Sequence, residues 1–457
     1  SMAKTLHAEA DLLHGPVLQN MLRFALPILA GTLLQQLYSM VDAVVVGQFV
    51  GKTALAAVGG SAVAIINLLL NFFVGLCSGA AIVVAQYYGA HDHENVSRAV
   101  HTAALLAVWV GAVMTVIGVC FAPGFLTALD TPEDTMQYSI DYMRWYFAGM
   151  IPTMIYNMGS SILRAMGDSK RPLYFLLLCT GVNTVLDLLC VAVLRLEVAG
   201  AAIATSLSQL ICAAFVIRSL MRRQDEARLE LAKLRPAPAL AKRMLLLGLP
   251  AGLQSVLYNV TNLYVQKAVN LMGTDTVAAW SIYAKIDGVF WPISNAFGIA
   301  IMTFVGQNYG ARSRARIQES IRTGWLLHLG MAVFFSAVAV LSSPLTMRLF
   351  SSDPAVLAEA RQFILHISSC YVLFSSVEVL SSAMRGVGNA VKPAVITFFA
   401  VCVLRMALLF TVTFPHLSVL TISICYPITW AASSVLFILY YKFGRWMPLY
   451  PESAKSE

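Results

Sequence analysis

Gln86-Tyr87-Tyr88-Gly89-Ala90 returns as Gln307-Asn308-Tyr309-Gly310-Ala311, 221 residues later (307 − 86 = 221). At the same offset Arg164-Ala165-Met166-Gly167-Asp168-Ser169-Lys170-Arg171-Pro172 returns as Arg385-Gly386-Val387-Gly388-Asn389-Ala390-Val391-Lys392-Pro393. Pro27 is matched by Pro250 at nearly that spacing (250 − 27 = 223). Two separate motifs and a proline that keep one offset predict a duplicated chain, in which both halves share one topology.

Between these motifs the chain is strongly apolar. Hydrophobic residues make up 58% and charged residues 12%, with a mean hydropathy of +0.73. A soluble domain carries about 25% charge. Apolar runs of about 20 residues, each enough to span a bilayer, predict twelve spans. They lie near 20–50, 54–84, 100–120, 136–164, 172–194, 200–220, 243–271, 276–306, 320–341, 356–385, 393–414 and 419–442. The predicted fold is an all-α polytopic membrane protein. Twelve transmembrane helices form two six-helix lobes, residues 1–220 and 243–457, joined by a cytoplasmic linker at 221–242. Six spans per half bring both halves in from the same side, so the repeats are parallel and related by a pseudo-two-fold axis along the membrane normal.

The net charge is +8, and its distribution sets orientation. On this topology most Lys and Arg fall at one face, while the opposite loops hold only Lys52, Arg195 and Arg348. The positive-inside rule then places both termini in the cytoplasm, and a monomeric protein of the cell membrane is expected. A nucleic-acid partner is excluded, because no basic face with interleaved aromatics occurs. The eight cysteines form no C-x-x-C pair and read as small hydrophobes within helices. Residues 46–53 approach a P-loop but have Val46 where its first glycine belongs. His91, His93 and Glu94 read as a solvated polar loop rather than a metal site. No catalytic signature and no cofactor motif is present, so an enzyme is not expected. An ion gradient is the expected energy source.

Ionisable residues inside spans are functional candidates by default. Counting at about 1.5 Å per residue, Asp42 lies about 15 Å below the outer surface, and Asp187 and Thr205 about 12 Å. Asn183 sits one helical turn from Asp187. No Lys or Arg shares that depth in the first lobe, Arg144 being nearest. Two carboxylates without a basic partner hold a proton or a bound cation, which describes a coupling-ion site for H⁺ or Na⁺. In the second lobe Lys285, Asp287 and Arg405 fall at a common depth, where they are expected to neutralise one another or to line a substrate cavity with Gln35 and Tyr38 of the first span. Glu378 lies closer to the inner face.

The duplicated loops, the first span "LPILAGTLLQQLYSMVDAVVVGQFVG" (residues 26–51) and the fifth-span N-x-x-x-D together resemble the multidrug and toxic compound extrusion (MATE) family. The similarity is greater to its DNA-damage-inducible branch. The resemblance covers nearly the whole chain. It implies an antiporter that exports amphipathic, often cationic small molecules in exchange for H⁺ or Na⁺ by alternating access. It also implies a first-lobe cation site at Asp42, Asn183, Asp187 and Thr205. The branch with a second-lobe cation site carries an acid in the seventh span. Here that region reads Gln254-Ser255-Val256-Leu257-Tyr258. Two other functions compete: a flippase of a related two-lobe family moving a lipid-linked precursor, and a membrane-embedded enzyme.

Overall fold

The computed structural model describes residues 10–450 apart from 52, 53 and 55–59, and leaves undescribed the side chains of 39, 40, 42 and 43. No strand occurs among the described residues. In hydrocarbon a backbone amide has no water to bond to, so each segment satisfies its own, and helix occupies all twelve predicted stretches. The first repeat holds α1 (Val17–Phe49), α2 (Ser61–Gly89), α3 (His93–Ala128), α4 (Glu133–Ala148), α5 (Met150–Ala165), α6 (Lys170–Asp187) and α7 (Glu197–Met221). The second holds α8 (Pro238–Leu271), α9 (Thr274–Gly310), α10 (Arg314–Thr346), α11 (Pro354–Ile367), α12 (Val372–Gly386), α13 (Val391–Thr397), α14 (Leu404–Leu408), α15 (Val419–Ser423) and α16 (Cys425–Phe443).

Among the described residues ten helices are long and apolar enough to cross a bilayer, and eleven spans when Pro354–Cys370 and Val372–Gly386, which meet at 46°, count as one. The predicted fourth span is also interrupted: α4 and α5, 16 residues each, are separated at Gly149. Since 149 + 221 = 370, the break recurs at Cys370, in the turn between α11 and α12. It belongs to the repeat.

The duplicated motifs turn out to be helix ends. Gly167 and Gly388 adopt φ of +93° and +91°, a left-handed conformation that glycine enters at little cost. Around each, the same bonds close the preceding helix: Asp168 N–H donates to Leu163 C=O, and Asn389 N–H to Met384 C=O, both at 2.9 Å. Pro172 and Pro393 follow in the first turns of α6 and α13, where a missing N–H costs nothing. The Q-x-Y-G-A motif ends α2 and α9 alike, with Ala90 donating to Gln86 and Ala311 to Gln307 at 3.0 Å. The motifs repeat because the chain must turn in the same way twice.

The chain divides into two compact units, one built on Leu22–Gly252 and the other on Leu253–Glu457 together with Leu13–Met21. In the first unit Gly75 and Gly79 of α2 face Gly248 and Gly252 of α8. A side chain on Gly79 would strike the backbone of Met244 and Gly248. Two small-x-x-x-small faces thus let these helices approach to backbone contact. In the second unit the core is aromatic. Phe290 stacks on Tyr371 with ring centroids 4.0 Å apart, and Trp291 packs edge-on against Phe374 at 4.8 Å.

Candidate functional site

Two helices of the first unit assemble the polar site. α6 carries Cys179, Asn183 and Asp187 at intervals of four, which puts them on one face, and all three are fully buried. The Asn183 amide donates to Asp187 Oδ2 at 3.3 Å. From α7, the Ser208 hydroxyl lies 3.4 Å from Asn183 Oδ1 and 2.8 Å from its own Ala204 carbonyl. Thr205, 5% exposed, donates to the Ala201 carbonyl at 3.1 Å. Immediately after Asp187 the backbone widens into a π-helical turn, Leu188–Val193, an irregularity common at functional sites. The second repeat has two π turns, Phe398–Val403 and Leu409–Thr413, and the latter starts at the repeat offset, since 188 + 221 = 409. The backbone feature is therefore duplicated, but the side chains are not. By the same offset Asn183 and Asp187 correspond to Leu404 and Leu408.

Asp42 lies in α1, and its side chain is outside the described residues. On the same helix Gln35 is exposed and Tyr38 half-buried. Arg144 is exposed and donates to the Val119 carbonyl at 3.3 Å.

Sequence reasoning missed two neighbours of this site. Ser208 lies three residues after Thr205, and Cys212 four after Ser208, which together make a stripe along α7. Cys179 and Cys212 are joined as a disulfide with Cα atoms 5.9 Å apart. This corrects the reading of all eight cysteines as separate small hydrophobes; the other six are free. The two are 33 residues apart in sequence, so only the packing of α6 on α7 reveals the pairing. The signal lay in the matching four-residue stripes.

Lys285, Asp287 and Arg405 each have side-chain or ring partners of their own, and Arg405 also acts electrostatically on Asp287. Lys285 is exposed, its ammonium 4.7 Å above the Phe350 ring. Asp287 accepts from the Tyr371 hydroxyl and, at 2.8 Å, from the Trp291 indole. Arg405, 2% exposed, donates to Thr429 Oγ1 at 2.9 Å and to the Cys425 carbonyl at 3.4 Å. Its guanidinium lies 4.3 Å from the Tyr426 ring centroid, a cation–π distance. Depth along a helix does not fix azimuth: residues two apart, such as Lys285 and Asp287, face away from each other.

Outside the spans, His93 pairs with Glu226 at 2.9 Å. His101 is clamped between the Ser97 carbonyl at Nδ1, 2.6 Å, and the Glu230 N–H at Nε2, 3.0 Å. These contacts fasten the charged stretch after α7 onto the start of α3.

Polar and ionisable side chains buried within spans, on a duplicated helical scaffold, are the architecture of a multi-pass membrane transporter. Residues 27–189 and 250–411 each match the MatE family, and the chain belongs to it. One similar relative is the "Probable multidrug resistance protein YoeA" of Bacillus subtilis, 29% identical over 93% of this chain and 94% of that protein. Another, also from Bacillus subtilis, is the "Probable multidrug resistance protein YpnP", 27% identical over 97% and 99%. Among solved structures, an outward-facing multidrug resistance MATE family transporter of the MOP superfamily has the same fold. Its TM-score is 0.86 at 22% identity, over 95% of this chain and 97% of that one.

Proposed function

We propose that this protein is a secondary antiporter of the cell membrane, monomeric and with cytoplasmic termini, that exports amphipathic cationic compounds in exchange for H⁺ or Na⁺. Asp42, Asn183, Asp187 and Thr205, in the lobe formed by residues 1–220, take the coupling ion. Gln35, Tyr38, Asp287 and Arg405 are assigned to the substrate cavity, while the exposed Lys285 is the weakest member of that set. The observation that carries the proposal is Asp187, a fully buried carboxylate whose side-chain neighbour is the Asn183 amide. A carboxylate at span depth costs several kcal/mol when ionised. Protonation or a bound cation removes that cost, and an amide accommodates the neutral and the charged form alike.

Coupling follows from differential affinity. An ion that binds the outward-open state more tightly than the inward-open one shifts the population between them, and it shifts it by no more than that difference. The ion and the drug then oppose each other through one conformational equilibrium. The test is export of ethidium from proteoliposomes by Asp42→Asn and Asp187→Asn under an imposed ion gradient. Gradient-driven export is expected to be lost in both. Full export in both would defeat the assignment.

A further inference from the structure

In the second unit a column of protonatable side chains runs along the seam of α9 and α12, outside the coupling site proposed above. Asp287 is bonded to Tyr371, Ser294 meets Ser375 through His328 of α10, and Gly298 packs against Glu378. Both helices advance together through these three levels, so they run side by side in one sense. From Tyr371, which caps α12, the positions 371, 375, 378 and 382 recur at four-, three- and four-residue steps, one face of a helix.

The middle level decides what the column can do. His328 is fully buried, with Nε2 2.8 Å from Ser294 Oγ and Nδ1 2.7 Å from Ser375 Oγ. A serine hydroxyl both donates and accepts, so either ring tautomer satisfies both contacts. His101 shows the opposite case. Its Nδ1 faces a carbonyl, which only accepts, and its Nε2 an amide N–H, which only donates, so a single neutral tautomer fits. A histidine built only to hold helices together needs no such freedom.

Below it Glu378 is half-buried, and its carboxylate has no hydrogen-bond or ion-pair partner among the described residues. The charged and titratable groups facing the column are Tyr283, Tyr426 and Arg405 beside Asp287, Tyr371 above His328, and Tyr258 and Arg385 beside Glu378. The Phe290 and Phe297 rings flank His328 itself, at 6.4 and 5.9 Å.

We propose that this column is a second proton-carrying route, in which His328 relays a proton between Asp287 and Glu378. A proton arriving from the Tyr371 side forms an N–H bond at Nδ1 while the N–H bond at Nε2 breaks toward Ser294, and the proton passes on to Glu378. One proton has then moved and the ring is left as the Nδ1–H tautomer, so each passage is followed by a reorientation of the imidazole, with rotation of the two serine hydroxyls, before the next in the same direction. The route would give the second lobe its own share of the coupling, and it rests on the exporter reading. By offset Glu378 corresponds to Asn157 (378 − 221 = 157) and His328 to Ala107, so the column is peculiar to the second repeat.

The test uses the full-length protein. Protons released on adding ethidium are counted in weakly buffered detergent solution, and export is followed against pH in proteoliposomes, for H328Q, E378Q and D187N. Glutamine at 328 can keep two hydrogen bonds but cannot relay. H328Q is expected to slow proton-driven export at least about tenfold, with ethidium affinity unchanged within about twofold. E378Q is expected to release fewer protons per bound ethidium. Wild-type proton counts and an unaltered pH profile in both would overturn the proposal. If H328Q does not fold, S294A, which removes one rung, is held to the same criteria. Loss of export in D187N alone would support the first-lobe site and refute this route; loss in H328Q and E378Q with D187N unaffected would do the reverse.

Discussion

Replacing Asp187 by asparagine keeps its size and removes its charge, which separates the electrostatic role of this residue from its packing. The neighbouring Asn183→Ala change acts the other way: it leaves a fully buried carboxylate without its amide donor. A hydrogen bond to a charged group contributes about 1.5–3 kcal/mol, so a lower unfolding temperature in detergent is expected, and an unchanged one would contradict a contribution from this bond. At Arg405, Thr429→Ala removes a 2.9 Å bond to a guanidinium. A hydrogen bond to a charged group contributes about 1.5–3 kcal/mol, and thermal melting would register that loss. While the side chain of Asp42 lies outside the described residues, the buried pair Asn183 and Asp187 was legible in the sequence because a charge is conspicuous in an apolar run. The partners of Lys285, Asp287 and Arg405 were not, because a depth count has no azimuth.

Helices are limited by how closely they approach. Gly79 of α2 touches the backbone of α8, so Gly79→Val forces the two apart. Overpacking typically costs 1–3 kcal/mol, and reduced yield and melting temperature are expected. Gly124, inside α3, has open space where a side chain would go. Gly124→Ala is expected to be neutral or to stabilise by about 0.5–1 kcal/mol, and equal damage from both substitutions would contradict the close-approach account. At the helix end, Gly388→Ala forces a side chain to φ of +91°, which costs about 1–2 kcal/mol. The helices were predictable from apolar length alone, and their ends from the repeated motifs. The breaks at Gly149 and Cys370 escaped because the apolar run continues through each of them. The disulfide between α6 and α7 escaped because sequence spacing says nothing about which helices pack together.

For the whole molecule, duplication supplied one scaffold and divergence gave its halves different chemistry. The same loop bonds, the same broken fourth span and the same π turn appear in both repeats. The carboxylate and amide of α6 appear only in the first, and the His328 column only in the second. The repeat itself was plain in the sequence, since turn geometry conserves residue types. The division of work was visible only in part, through the missing acid in the seventh span. The central claim is that drug export is driven by an ion exchanged at the first-lobe carboxylates. The most direct test is drug-triggered ion flux in proteoliposomes, with H⁺ and Na⁺ gradients imposed separately. The account predicts that ethidium moves one of the two ions in the opposite direction, and that Asp187→Asn abolishes that movement. Ethidium export with no counter-movement of either ion, or an undiminished flux in Asp187→Asn, would contradict it.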